Sequence, residues 1–417
     1  MLHGARQVGK TFILNKFGEG HYRNTVYINL EANQAAARFF SENNDLGGLV
    51  WFLETTANDV VEPGRTLIIL DEIQSCEGAM ASLKYFAENA PGYHVAAAGS
   101  LPGVALDGEH YPAPAQGVES MSLYPLDFEE FLWALEEGGL AERIRGCYAC
   151  MEPLPEELHQ RAAGLFRYYL IVGGMPACVQ SFSKDGDTVM APGIQNGIAN
   201  NYWADMAKYT EMHEALRIKA CYDSIPVQLA SSEGRFHYKV VQKGGSASSF
   251  GAAVDWLIQT GAALKCKRVV HAANPIAVYE DLSSFKLYMN DVGLLSMRSG
   301  IPQQTILSGE SNLFMGSVVE NFIAQSLAAN GHPLYYWAGG GGAELDFVLQ
   351  KGTEIIGVKV KKRAKAHSKS LGVFTKKYHP AYSIRFSGKN FGADGTDGAD
   401  GAEGDIRVLP YYAAFCV

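Results

Sequence analysis

Gly4-Ala5-Arg6-Gln7-Val8-Gly9-Lys10-Thr11 constrains the fold of this chain more than any other stretch. It satisfies G-x-x-x-x-G-K-(S/T) at every fixed position, and each fixed position has a physical reason. Two glycines let the backbone curl so that successive N–H groups face a polyphosphate at the positive end of the following helix. In such a loop Lys10 reaches the β- and γ-phosphates and the Thr11 hydroxyl holds Mg²⁺. The bland alternative is a glycine turn before a helix that happens to carry Lys-Thr, so a second site must decide.

That second site lies about 60 residues on. Thr66-Leu-Ile-Ile-Leu70 is an apolar run that delivers Asp71-Glu72-Ile73-Gln74 at its C-terminal end. A buried strand ending in Asp-Glu is the Walker B arrangement: Asp71 would hold the Mg²⁺ water shell and Glu72 would polarise an attacking water. Acids favouring a helix N-terminus are the alternative for this pair alone. His94-Val-Ala-Ala-Ala98 reads as a further strand, ending at Gly99-Ser100. Ser100 is either a γ-phosphate sensor beside the Walker B strand or a helix cap. Thr25–Leu30 reads as a strand, and Phe12–Phe17 and Leu49–Asn58 as helices. A phosphate loop ordinarily follows a buried strand of about five residues, yet only Met1-Leu2-His3 precede Gly4. The first strand is therefore expected to be nearly absent, through a start codon assigned too far downstream or through decay of this copy.

Length and composition bound the rest. At 417 residues the chain has room for two or three domains, and 47% hydrophobic with 19% charged residues is an ordinary globular balance. A net charge of −9 argues against coating with nucleic acid. There is no apolar run of the roughly 18 residues a membrane span requires, and the seven scattered cysteines read as reduced cytoplasmic thiols. Cys147-Tyr-Ala-Cys150 has no second pair to complete a zinc site.

Taken together, Gly4–Thr11, Leu70-Asp-Glu-Ile-Gln74, Ala98-Gly-Ser100, Leu123-Tyr-Pro-Leu-Asp-Phe-Glu-Glu-Phe131 and Tyr169-Leu-Ile-Val-Gly-Gly-Met-Pro176 resemble a family of prokaryotic AAA+-superfamily ATP-binding proteins. Members pair an ATPase domain with a C-terminal domain of unknown function. The resemblance implies a parallel sheet with the P-loop strand central, ATP and Mg²⁺ as ligands, and Gly174-Met-Pro176 near the adenine; a plain helix break is the alternative for the last. Asp127 is expected to cap an amphipathic helix. One departure is Gln116-Gly117-Val118-Glu119, where relatives carry a cation before Val-Glu.

In the middle of the chain, a short helix opening at Ser224 with Pro226 in its first turn, then Phe236–Val241, a long helix over Ser246–Ile258 and a strand over Leu264–Val270 suggest a winged-helix-like module. Its cations (Lys239, Lys243, Lys265, Lys267, Arg268) lie beside the long helix rather than on it, which favours packing over a DNA groove. Further on, Phe285–Leu295 resembles the family's second-half signature. A helix bearing Glu320, a strand bearing Asp346 and a strand ending at Lys361 follow the order of a PD-(D/E)XK nuclease core, where the acids would bind Mg²⁺. Relatives read Glu-Val-Lys where this chain reads Lys359-Val360-Lys361, and a cation repels the metal it should hold. The basic run Lys359–Lys369 is a solvated face or, as the sharper option, a phosphate contact. Gly388–Asp405 is a Gly/Asp-rich flexible insert, and Val408–Phe415 a final strand.

The expected architecture is α/β: a P-loop NTPase domain over 1–182, a winged-helix-like region over 183–300 and an α+β nuclease-like domain over 301–417. The expected protein is a cytoplasmic Mg²⁺-dependent ATPase coupling nucleotide state to a C-terminal interaction domain. Its site comprises Gly4, Ala5, Arg6, Gln7, Val8, Gly9, Lys10, Thr11, Asp71, Glu72 and Ser100, and a protein partner or homo-oligomer is left open. The rival is a nucleic-acid-binding or regulatory protein with a decayed ATP site and an inactive nuclease-like domain.

Overall fold

The computed structural model describes residues 1–43, 45–99, 117–231, 233–309, 314–339, 342–361, 369–393 and 405–417. They form two compact units, Met1–Tyr124 with Gln259–Gly261, and Pro125–Ile258 with Ala262–Val417. The division at Tyr124 falls well before residue 182, where the sequence suggested a boundary.

The first unit contains β1 (Leu2–His3), α1 (Lys10–His21), β2 (Asn24–Asn29), α2 (Gln34–Glu42), α3 (Leu46–Ala57), β3 (Thr66–Asp71), α4 (Glu77–Asn89), β4 (His94–Gly99) and β5 (Met121–Ser122). The strands pair in the order β2-β3-β4-β1-β5, every pair parallel. Helices cover both faces of such a sheet, and all six residues of the interior strand β3 are buried. On one face Val26, Ile28, Leu30, Ile68 and Leu70 form a core with Phe40, Leu49, Leu53 and Phe86 from α2, α3 and α4. The other face carries α1, which approaches closely because Gly18 has no side chain; a Cβ there would lie 2.3 Å from Thr25 Oγ1 and 3.3 Å from Leu67 Cδ2.

The shortened first strand still takes its place. Leu2 and His3 pair with Ala98 and Gly99 on one side and with Met121 and Ser122 on the other. Two residues therefore suffice to aim Gly4 at the C-terminal edge of the sheet, where Asp71 also ends its strand. In an open parallel sheet that edge is where ligands bind.

The second unit begins with α5 (Phe128–Ala134), capped as expected by Asp127, whose side chain and that of Glu130 form a reciprocal capping box. It continues through α6 (Gly138–Cys150), α7 (Glu156–Val172), α8 (Pro176–Asp185), α9 (Ala191–Tyr209), α10 (Met212–Ala230), α11 (Tyr238–Val241) and α12 (Ala247–Gln259), the end of which returns to the first unit. Next come β6 (Ala263–Val269), β7 (Glu280–Met289), α13 (Val292–Arg298), α14 (Gln303–Ser308), α15 (Met315–Ala329), β8 (Tyr335–Ala338) and β9 (Glu344–Leu345). The chain closes with β10 (Phe347–Lys351), β11 (Glu354–Val360), α16 (Lys369–Tyr378), β12 (Tyr382–Ser387), β13 (Gly392–Ala393) and β14 (Asp405–Pro410).

Two expectations change here. Pro226 lies inside α10, not in the first turn of a short helix. Buried Ala215, Ile218, Tyr222, Ile225 and Leu229 repeat at helical spacing, and their packing outweighs the roughly 3 kcal/mol an internal proline costs. The last strand stops at Pro410, and Tyr411–Cys416 forms a 3₁₀ turn. β6 and β7 form an antiparallel hairpin after α10–α12, but β6 also pairs parallel with β8, giving a four-stranded sheet β7-β6-β8-β9. A second, mixed sheet runs β10-β11-β12-β14-β13.

Candidate functional site

The loop between β1 and α1 curls through three positive-φ residues, Gly4 (150°), Gln7 (67°) and Gly9 (98°). Ala5 and Val8 are buried and anchor it, while Gln7 faces out and Arg6 is half-buried. Gly4 is obligatory in size as well as conformation, since a Cβ would lie 2.2 Å from the Leu123 carbonyl oxygen. Gly261, in the returning segment of this unit, lies against the loop: a Cβ on it would be 3.1 Å from Ala5 N. Lys10 is only 8% exposed, and its ammonium donates to the Gly4 and Ala5 carbonyl oxygens at 2.9 Å each.

The loop and the acidic strand end meet. Thr11 Oγ1 donates to Asp71 Oδ2 at 2.7 Å, and the Glu72 N–H donates to Asp71 Oδ1 at 3.0 Å. A third donor, absent from the sequence reading, is the Tyr27 hydroxyl, 2.8 Å from Asp71 Oδ2. Register explains it. Tyr27 pairs with Ile69, and Asp71 lies two residues along on the same face, within the diagonal reach of an aromatic side chain. Burial, with the nearby Asp71 carboxylate, pushes the Tyr27 phenol up to about 12, so it remains a donor at working pH. Glu72 adopts a left-handed conformation (φ 51°), and its carboxylate accepts from Gln74 Nε2 at 2.6 Å. The expected sensor, Ser100, lies outside the described residues, as do Gln116, most of the basic run Lys359–Lys369 and much of the Gly388–Asp405 insert.

A second set of charged groups sits inside the second unit. Glu320 on α15 accepts from Lys286 Nζ at 3.1 Å and from the Tyr288 hydroxyl at 2.5 Å. Lys286 also lies 2.8 Å from Glu344 Oε1. Asp346 Oδ1 pairs with Lys359 Nζ at 3.0 Å, and its Oδ2 accepts the Val360 N–H at 2.7 Å. Lys286 is wholly buried; burial alone would lower its pKa, but Glu320, Glu344 and Asp346 outweigh that and raise it. Two ammonium groups thus occupy the space among the acids. Lys361 is held through its backbone N–H to Phe386 O at 2.9 Å. Among the described residues no group of three or more His, Cys, Asp or Glu is placed to hold a metal. The nuclease-type metal does not fit these residues. Lys286 was legible only as a cation inside the apolar run Phe285-Lys-Leu-Tyr-Met289.

Two of the motif stretches meet in this unit at Asp291, and a third, through Leu126, packs on Gly174. Gly174 N–H and Leu294 N–H donate to its carboxylate at 2.6 and 2.9 Å. A Cβ on Gly173 (φ 73°) would lie 2.2 Å from Asp291 Oδ1, and one on Gly174 would lie 1.9 Å from Leu126 O. The glycine pair therefore has a packing reason. Burial drives the Asp291 carboxyl up to about 6 despite these donors.

Comparison with known proteins agrees with the first unit. Residues 1–132 match the family model of the AAA domain. Residues 163–305 and 315–400 match two domains of unknown function, DUF8612 and DUF4143. A solved Walker-type ATPase of Pyrococcus abyssi is similar, at 14% identity over 71% of this chain and 89% of that one, with a TM-score of 0.41. No curated protein matches. On the family model, the N-terminal part is similar to an AAA domain; its fold is α/β, and further α/β structure follows. No helix among the described residues is long and apolar enough to cross a membrane.

Proposed function

We propose that the first unit binds ATP with Mg²⁺ and hydrolyses it. The observation that carries this reading is the 2.7 Å bond between Thr11 and Asp71, which joins two motifs 60 residues apart. Oxygen donors from a hydroxyl and a carboxylate suit a hard divalent ion. Thr11 and Asp71 would hold Mg²⁺, which when bound neutralises charge on the β- and γ-phosphates. Lys10 would exchange its two carbonyl partners for phosphate oxygens. Glu72, released from Gln74, would orient the attacking water, and Ser100 would sense the γ-phosphate.

In the second unit, the order of Glu320 on α15, Asp346 just before β10 and Lys361 just after β11 supports a nuclease-like layout. The Lys359–Asp346 and Lys286–Glu320 pairs favour its use as an interaction domain without cleavage. Nucleotide state in the first unit would then act on a protein partner or a second copy.

Thermal unfolding tests the ATP reading. At 100 times Kd, a ligand bound only to the folded state adds about 2.7 kcal/mol. For a unit of this size that is a rise on the order of 10 °C. MgATP should raise the melting temperature of the wild type and leave Lys10→Ala unmoved. An equal rise in both proteins, or none in either, overturns it.

A further inference from the structure

The Asp71 carboxylate is held from more sides than its motif requires. Its Oδ2 atom takes two hydroxyl donors, Thr11 at 2.7 Å and Tyr27 at 2.8 Å, while Oδ1 takes the Glu72 N–H at 3.0 Å. We propose that Tyr27 is a positioning residue of the nucleotide–metal site, whose hydroxyl fixes the rotation of the Asp71 carboxylate so that it meets the magnesium water shell. The inference rests on the ATP reading above and goes further, because nothing in either motif calls for a tyrosine on β2.

The geometry supports the role in three ways. First, Asp71 is 3% exposed, so its orientation is set by protein donors rather than by water. A carboxylate whose oxygens are both engaged has little freedom about its last torsion, whereas one losing a donor regains it. Second, Thr11 serves two tasks. Its oxygen would turn a lone pair to the metal while its single O–H stays committed to Asp71, whereas the Tyr27 phenol would serve Asp71 alone. Third, Tyr27 is itself backed: Asn29 Nδ2 lies 3.5 Å from the phenol oxygen, and Asn29 Oδ1 accepts the Ala32 N–H at 2.8 Å at the start of the following turn. Tyr27 is 41% exposed, so removing only its phenol oxygen disturbs little packing.

The measurement is a Mg²⁺ titration at a fixed concentration of ATP, read as bound nucleotide, for the wild type and Tyr27→Phe, with a parallel series in EDTA. The variant should need a several-fold higher Mg²⁺ concentration for half-maximal binding. Its metal-free nucleotide affinity should match the wild type, and its ligand-free melting temperature should fall only by the few degrees that one hydrogen bond is worth. A purely structural role would move the melting temperature and leave the metal dependence alone. Identical Mg²⁺ curves for the two proteins overturn the Tyr27 role while leaving the ATP reading intact. If the wild type binds no nucleotide with Mg²⁺, or Lys10→Ala binds as well as the wild type, the ATP reading fails and this inference falls with it.

Discussion

Replacing glycine by alanine should have opposite signs at two positions of the first unit. At Gly4, φ is 150°, a region closed to residues with a side chain, and the new Cβ would sit 2.2 Å from the Leu123 carbonyl oxygen. Backbone strain of this kind costs roughly 1–3 kcal/mol. The clash is with main chain, not with a flexible side chain, so relief requires pulling Leu123 away. That weakens the Leu123 N–H to His3 O bond of 2.7 Å, worth about 1 kcal/mol net. The sum is about 2–4 kcal/mol against a typical domain stability of about 5–15 kcal/mol. At Gly20, inside α1, an added Cβ meets nothing within 4 Å. There alanine should stabilise by about 0.5–1 kcal/mol, since glycine loses more conformational freedom in a helix. Because a two-unit chain need not unfold in one step, the assay should report the first unit alone. Hydrogen exchange of the peptide spanning Thr66–Asp71 does so. Gly4→Ala should speed its exchange by about one to three orders of magnitude, and Gly20→Ala should slow it a few-fold. Equal effects of the two substitutions, or an unchanged Gly4→Ala, would refute the account of the loop.

Two further predictions concern the second unit. Lys286→Met leaves Glu320 and Glu344 without their shared cation, and breaking a buried pair costs about 3–5 kcal/mol; the variant should denature at markedly lower urea, and wild-type protein with Mg²⁺ should leave plasmid DNA uncut. Asp291 sets a pH dependence. Its folded carboxyl is raised from 3.8 to about 6, so the folded state holds the proton more tightly. Its contribution is therefore fully present below pH ~4, falls as pH rises to about 6, and is level above that. Wild type should lose on the order of 3 kcal/mol relative to Asp291→Asn across that window; a difference that stays constant with pH would sink the assignment.

Much of the first unit was legible in the chain because its signals are local. Gly4, Gly9, Lys10 and Thr11 carry their chemistry in eight consecutive residues, and Leu67–Leu70 announces a doubly buried strand by being apolar throughout. Asp127 likewise writes its capping box within four residues. What sequence alone could not settle was pairing across distance. The two-residue β1 looked too short to serve, yet hydrogen bonds from β4 on one side and β5 on the other hold it in the sheet. Tyr27 reached the site only through the β2–β3 register, and that register follows from which face of the sheet packs on α1. Pro226 misled because side-chain burial along the whole of α10, not local preference, decides whether a helix continues. Lys359 could be read as a misplaced cation. Its partner Asp346, and the second ammonium of Lys286 beside Glu320, emerge only when strands distant in sequence are brought together and burial forces charges to find each other.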